Sequence, residues 1–201
     1  WTHVAVVQSR ASLADTYGPA QIYWNGVSVA TSASMRFPLP VSRSNLYVGK
    51  SAWSADPMFT GQMKDLLVWD VALSPAQLDG VRLGGGLPNT QRRSLDDAHV
   101  VRGSATTIAP VAAIAAVAPA VPVAPVAAAG FSGAVDGAYT FTGAATSYLR
   151  ATSRTGIVGG GLGFTLSAWV YRTRTGDAGE RVIDFGTVHL QTMSLWIFGA
   201  Q

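Results

Sequence analysis

The chain has 201 residues, enough for one large β domain or two small ones around a sizeable core. Hydrophobic residues make up 48% of it and charged residues 12%, with 22 Gly, a balance that suits an all-β globular protein and argues against intrinsic disorder. The formal charge of +3 and the sequence pI near 9.5 come from scarce acids, not from clustered bases, which argues against nucleic-acid binding.

There is no Cys, so disulfides and thiolate metal sites are excluded while the compartment stays open. The sequence starts at Trp1 inside a strand-like run and stops as abruptly at Gln201. It reads as a fragment of a longer polypeptide, so missing targeting signals carry no weight.

Trp1 to Ser9 is Val-rich and loosely alternating, which predicts a strand. Asp15 to Pro19 reads as a loop. Gln21 to Thr31 reads as a hairpin around Asn25-Gly26, the pair that a type I′ turn favours because both central residues need positive φ. Pro38 and Pro40 interrupt, and Asn45 to Gly49 resumes as a strand. A further strand is expected over Gln62 to Val71. Ser74-Pro75 then opens a short helix near 74–83, with Ser as N-cap and Pro at the first helical position.

From Asn89 the character changes. Residues 105–130 are Ala, Val, Ile and Pro with no charge, but Pro110, Pro119, Pro122 and Pro125 argue against a membrane span. Residues 89–130 read as an extended, semi-rigid linker. β patterning returns after Gly130. Ala138 to Thr142 and Ser147 to Ala151 read as a strand pair, followed by strands at Phe164–Arg172, Arg181–Gly186 and Leu195–Phe198. The expected architecture is all-β.

The motifs Trp1-x-His3-Val-Ala5, Tyr23-x-Asn25-Gly26, Val48-Gly49, Phe59-x-Gly61-x-x-x-Asp65 and Ala72-Leu73-Ser74 occur in that order. Together they resemble the C-terminal half of a laminin-G-like domain, within the concanavalin A-like lectin/glucanase superfamily. Gly137 to Gly143, Phe164-Thr-Leu-Ser-Ala-Trp169 and Val182-Ile-Asp-Phe-Gly186 resemble the N-terminal half of the same kind of domain. The resemblance implies an antiparallel jelly-roll sandwich. It divides the chain into a C-terminal half (1–88), a linker (89–130) and an N-terminal half (131–201). The second half belongs either to the next of two tandem repeats or, as a permuted partner, to the first. An unpaired half would expose an apolar sheet face and open edges.

Catalytic chemistry is sparse. Glycoside hydrolysis needs two carboxylates flanking the scissile bond, and the sequence has a single Glu, Glu180, expected in a turn. His3, His99 and His189 lack metal-ligand spacing, and His3 reads as a half-buried strand residue. Calcium is the cofactor that the resemblance implies, with Asp65 and Asp136 as ligands that meet only if the halves pair. Trp53, Tyr17 and Trp24 are the candidate ligand-binding aromatics, suited to stacking on sugar rings; Trp53, in the loop Ser51 to Pro57, is the foremost.

The resulting expectation is a non-enzymatic adhesion or recognition module of a modular extracellular or cell-surface protein. Its partners would be a glycan, an extracellular protein or neighbouring repeats, with no nucleic acid and no membrane span. A structural spacer in a filament or surface array is the competing class, and a degenerate relative of glycan hydrolases the third.

Overall fold

A computed structural model describes residues 1–39, 41–43, 45–84, 92–94, 100–102, 138–151, 154–155, 160–174, 179–186 and 193–197. The strands are β1 (Thr2–Ser9), β2 (Tyr17–Trp24), β3 (Val27–Arg36), β4 (Ser42–Arg43), β5 (Asn45–Val48) and β6 (Thr60–Trp69). Helix α1 (Pro75–Arg82) follows, then β7 (Arg92–Ser94), β8 (Val100–Arg102), β9 (Tyr139–Thr142) and β10 (Leu149–Ala151). The last strands are β11 (Arg154–Thr155), β12 (Gly163–Arg172), β13 (Glu180–Gly186) and β14 (Met193–Ile197).

Two antiparallel sheets form the sandwich. The larger has seven strands in the order β3-β2-β1-β12-β6-β7, with β9 also on β6; the smaller has five in the order β14-β13-β5-β10-β8. β4 and β11 make a separate two-stranded ribbon. Both sheets mix strands from before and after the expected linker. β12 lies between β1 and β6, with Ala5 opposite Ser167 and Leu166 opposite Val68. β5 lies between β13 and β10. Strands β7 and β8 fall inside the stretch whose composition reads as linker; residues 103–130 of that stretch lie outside the described residues.

The period-two geometry of strands divides the side chains between two cores. Val4, Phe37, Leu46, Val48, Phe59, Met63 and Val68 meet Phe141, Leu149, Phe164, Leu166, Ala168, Val170, Val182 and Ile183 between the sheets. On the outer face of the larger sheet, Ala5, Val7, Tyr23, Leu67 and Trp69 are covered by Leu73 and by Leu78 of α1. β12 is therefore buried on both faces over most of its length. Full burial of a Leu such as Leu78 contributes about 1.5–3 kcal/mol.

Helix α1 begins as expected. Ser74 Oγ accepts from Gln77 N at 3.3 Å, and Gln77 Oε1 accepts from Ser74 N at 2.8 Å, closing a capping box. The hairpin turn also holds: Asn25 and Gly26 have φ of 51° and 85°, and Asn25 Oδ1 accepts from His3 N at 2.9 Å.

Four local expectations are corrected. Pro19 is not in a loop but within β2, at a register shift between Gly18 and Ala20, where a residue without an N–H is tolerated. β3 runs on to Arg36, as the edge of the larger sheet. Tyr139–Thr142 and Leu149–Ala151 do not pair with each other. β9 joins β6 in one sheet and β10 joins β5 in the other, the connection crossing between layers, with Thr142 N donating to Ser147 Oγ at 2.8 Å. Glu180 is not a turn residue but opens β13 and is fully buried.

Candidate functional site

The chain leaves β5 through Gly49, whose φ of +76° puts it in the region that favours glycine. A Cβ there would lie 2.4 Å from the Phe141 ring, so the close approach also requires glycine. The loop beyond is tightly tied. Trp53 N donates to Ser51 Oγ at 2.9 Å, and Ser51 Oγ donates to Asp56 Oδ2 at 2.6 Å. Ala52 N donates to Asp184 Oδ2 at 3.0 Å, anchoring the loop to β13.

Arg181 joins these carboxylates. Its Nη2 is 3.0 Å from Asp56 Oδ2, its Nη1 bonds Asp184 Oδ2, and its guanidinium lies 4.3 Å from the Trp53 ring centroid. Asp184 is completely buried, and its Oδ1 has no hydrogen-bond partner among the described residues. Trp53, by contrast, is 43% exposed. An exposed indole is thus fixed in orientation on an arginine that two carboxylates hold from below, a cation–π contact worth about 0.5–2 kcal/mol.

Beside this loop runs the outer face of the smaller sheet. Asp184 is opposite Tyr47, and Tyr47 is opposite Arg150, so the three lie in one row across β13, β5 and β10. The Tyr47 and Tyr148 rings meet edge to face at 5.6 Å. Lys50 Nζ lies 4.3 Å from the Tyr148 centroid and 5.1 Å from that of Tyr47, and the Arg150 guanidinium 5.8 Å from that of Tyr47. Burial lowers the Lys50 pKa below its usual value, and the nearby Arg150 charge adds to the shift. The surface is aromatic and cationic next to the Trp53 plate. Such a surface stacks on flat apolar faces and donates hydrogen bonds around them.

Of the expected ligand-binding aromatics, Trp53 belongs to this site. Tyr17 and Trp24 are exposed, at 56% and 41%, but stand at opposite ends of β2 in the other sheet. The structure does not bring the three together. Sequence reasoning missed Arg181, Asp184, Lys50 and Tyr148. The alternation Leu46-Tyr47-Val48 and Ser147-Tyr148-Leu149-Arg150 carried the signal, but not which strands would be neighbours.

Asp65 is exposed in mid-strand with φ of 50°, at a bulge where β6 gains a residue relative to β12 between Ser167 and Trp169. Asp136, His99 and His189 lie outside the described residues. Among the described residues no group of three or more His, Asp or Glu gathers as a metal-ligand set.

Glu180 is ion-paired, with Oε2 2.7 Å from Arg172 Nε and Oε1 3.7 Å from Arg174 Nη1. His3 is 2% exposed, packed edge-on against Trp169 at 5.3 Å, and neither ring nitrogen has a partner among the described residues. It is more deeply buried than a half-covered strand residue. Burial lowers its pKa, Arg82 adding to the shift while Asp79 and Asp65 oppose it.

Residues 1–79 match a laminin G family model described as the concanavalin A-like lectin/glucanases superfamily. Neither a curated protein nor a solved structure matches the chain. Laminin-G-like domains are in general non-enzymatic and typically extracellular, although the superfamily includes glycosidases. No helix among the described residues is long and apolar enough to cross a membrane. The motifs, the sandwich and the family match agree: residues 1–79 carry the laminin-G-like signature, within an antiparallel β-sandwich of the concanavalin A-like kind.

Proposed function

We propose that the chain is a non-enzymatic recognition module, acting outside the cell or at its surface, that binds a glycan or an extracellular protein through the Trp53 loop and the adjoining outer face of the smaller sheet. The observation that carries this reading is the fixed yet exposed Trp53 indole on Arg181. Rigid aromatic anchors contribute large contact area at little entropic cost, which is why they dominate recognition surfaces. Tyr47, Tyr148 and Lys50 extend the same surface with a flat apolar face and a cation.

The non-enzymatic reading rests on Glu180. A general acid needs a carboxyl group free to exchange its proton with substrate, and this one is buried against Arg172. The test is a glycan array probed with the wild-type chain and with Trp53→Ala, with calcium titrated in parallel. Binding to a defined glycan class that falls at least tenfold in Trp53→Ala is the expected result. Wild-type binding unchanged by Trp53→Ala would place recognition elsewhere. If neither sugar nor calcium shifts the melting temperature, the spacer reading takes its place.

A further inference from the structure

The sandwich is a product of two segments that neither sheet separates. β12, β9, β10 and β13 come from residues 139–186, while β1, β5 and β6 come from residues 2–69; β12 is inserted between β1 and β6 in one sheet, and β5 between β13 and β10 in the other. Without β12, the facing edges of β1 and β6 have no partner, and Val4, Met63 and Val68 lose Leu166, Ala168 and Val170 from the core between the sheets. The first segment is a slot and the second an insert. Slot and insert are encoded in every copy of the chain, so the insert of one molecule fits the slot of another as well as its own.

We infer that a second copy of this chain can complete the sandwich in trans, its residues 138–197 taking the place of the first copy's own. Residues 103–137 connect β8 to β9, and a segment of that length reaches up to about 110 Å when extended, enough to arrive at a neighbouring molecule. Closure within one chain has the advantage of an effective concentration on the order of mM. Exchange therefore competes where copies are held at similar density or where closure in cis is blocked. Reciprocal exchange between two copies closes a dimer, whereas exchange passed from copy to copy gives larger rings or open filaments. Exchange also has a functional consequence: Trp53 and Asp56 belong to the slot, Arg181 and Asp184 to the insert, so each recognition loop would be anchored by another chain. The inference itself concerns folding and stands whether or not that loop binds a ligand.

Two full-length variants test it. One carries Met63→Asp and Val68→Asp, which destroy the slot; the other carries Leu166→Asp and Ala168→Asp, which destroy the insert. All four side chains are buried between the sheets, so neither variant closes alone. Each is unfolded by itself, read by near-ultraviolet circular dichroism and a melting curve. Refolded together, they are expected to give a complex of two chains with a cooperative melt and about half the wild-type signal per chain, as one intact sandwich per pair dictates. A mixture that equals the sum of the separate variants overturns the inference.

Discussion

Replacing Arg181 by Met tests the physical basis of the recognition loop. The substitution keeps the length and apolar stem of the side chain and removes only the guanidinium. Asp56, partly exposed, regains water; Asp184, fully buried, does not, and among the described residues keeps Ala52 N as its donor, the Ser51 hydroxyl being engaged by Asp56. Stranding one partner of a buried ion pair costs about 3–5 kcal/mol, a large part of the roughly 5–15 kcal/mol that holds a domain folded. Equilibrium urea unfolding of wild type and variant measures the difference. Removing both charges, as Arg181→Met with Asp184→Leu, abolishes the stranded charge but leaves Ala52 N without its acceptor, a cost of about 1–3 kcal/mol. The double variant is therefore expected to be more stable than Arg181→Met alone, with a coupling of at least about 2 kcal/mol in the double-mutant cycle. A loss below about 1 kcal/mol for Arg181→Met, or simple additivity of the two changes, would refute the buried-pair account.

Two further outcomes follow from single side chains. His3 has a folded-state pKa below its ordinary 6.5, so below that pH the unfolded chain binds the proton more readily than the folded one. Its contribution to stability is present above pH 6.5 and is lost as pH falls toward the folded value, with Arg82, Asp79 and Asp65 the charged groups facing it. Urea midpoints measured from pH 8 to 5 are expected to fall less in His3→Phe than in wild type, and equal slopes would contradict the assignment. Gly49→Ala places a methyl group against the Phe141 ring at a φ of +76°, and strain plus overpacking is expected to cost about 2–4 kcal/mol. At about 2–4 °C per kcal/mol for a chain of this size, calorimetry should record a drop in melting temperature of roughly 4–16 °C, and no drop would mean that the loop relaxes freely.

Much of the secondary structure was legible because local chemistry dictates it. Asn25-Gly26 specified its turn, Ser74-Pro75 its helix start, and the alternating Val-rich runs their strands. Expectations missed where a local rule was overridden by pairing. Pro19 looks like a loop former, yet a bulge absorbs its missing donor. Glu180 looks like a turn residue beside Gly179, yet Arg172 makes its burial tolerable. Tyr139–Thr142 and Leu149–Ala151 look like a hairpin because they are close in sequence, yet each finds an older strand in a different sheet.

The sequence alone determined the all-β class and the laminin-G-like signature of residues 1–79, because propensity, turn chemistry and motif order are properties of short segments. Tertiary structure decided that β12 sits between β1 and β6, and that Arg181 and Asp184 lie beneath Trp53. Those facts join residues some 96 or more positions apart, as Thr165 and Trp69 are. Only the packing of two complementary apolar faces, a property of neither segment by itself, sets such pairs in contact.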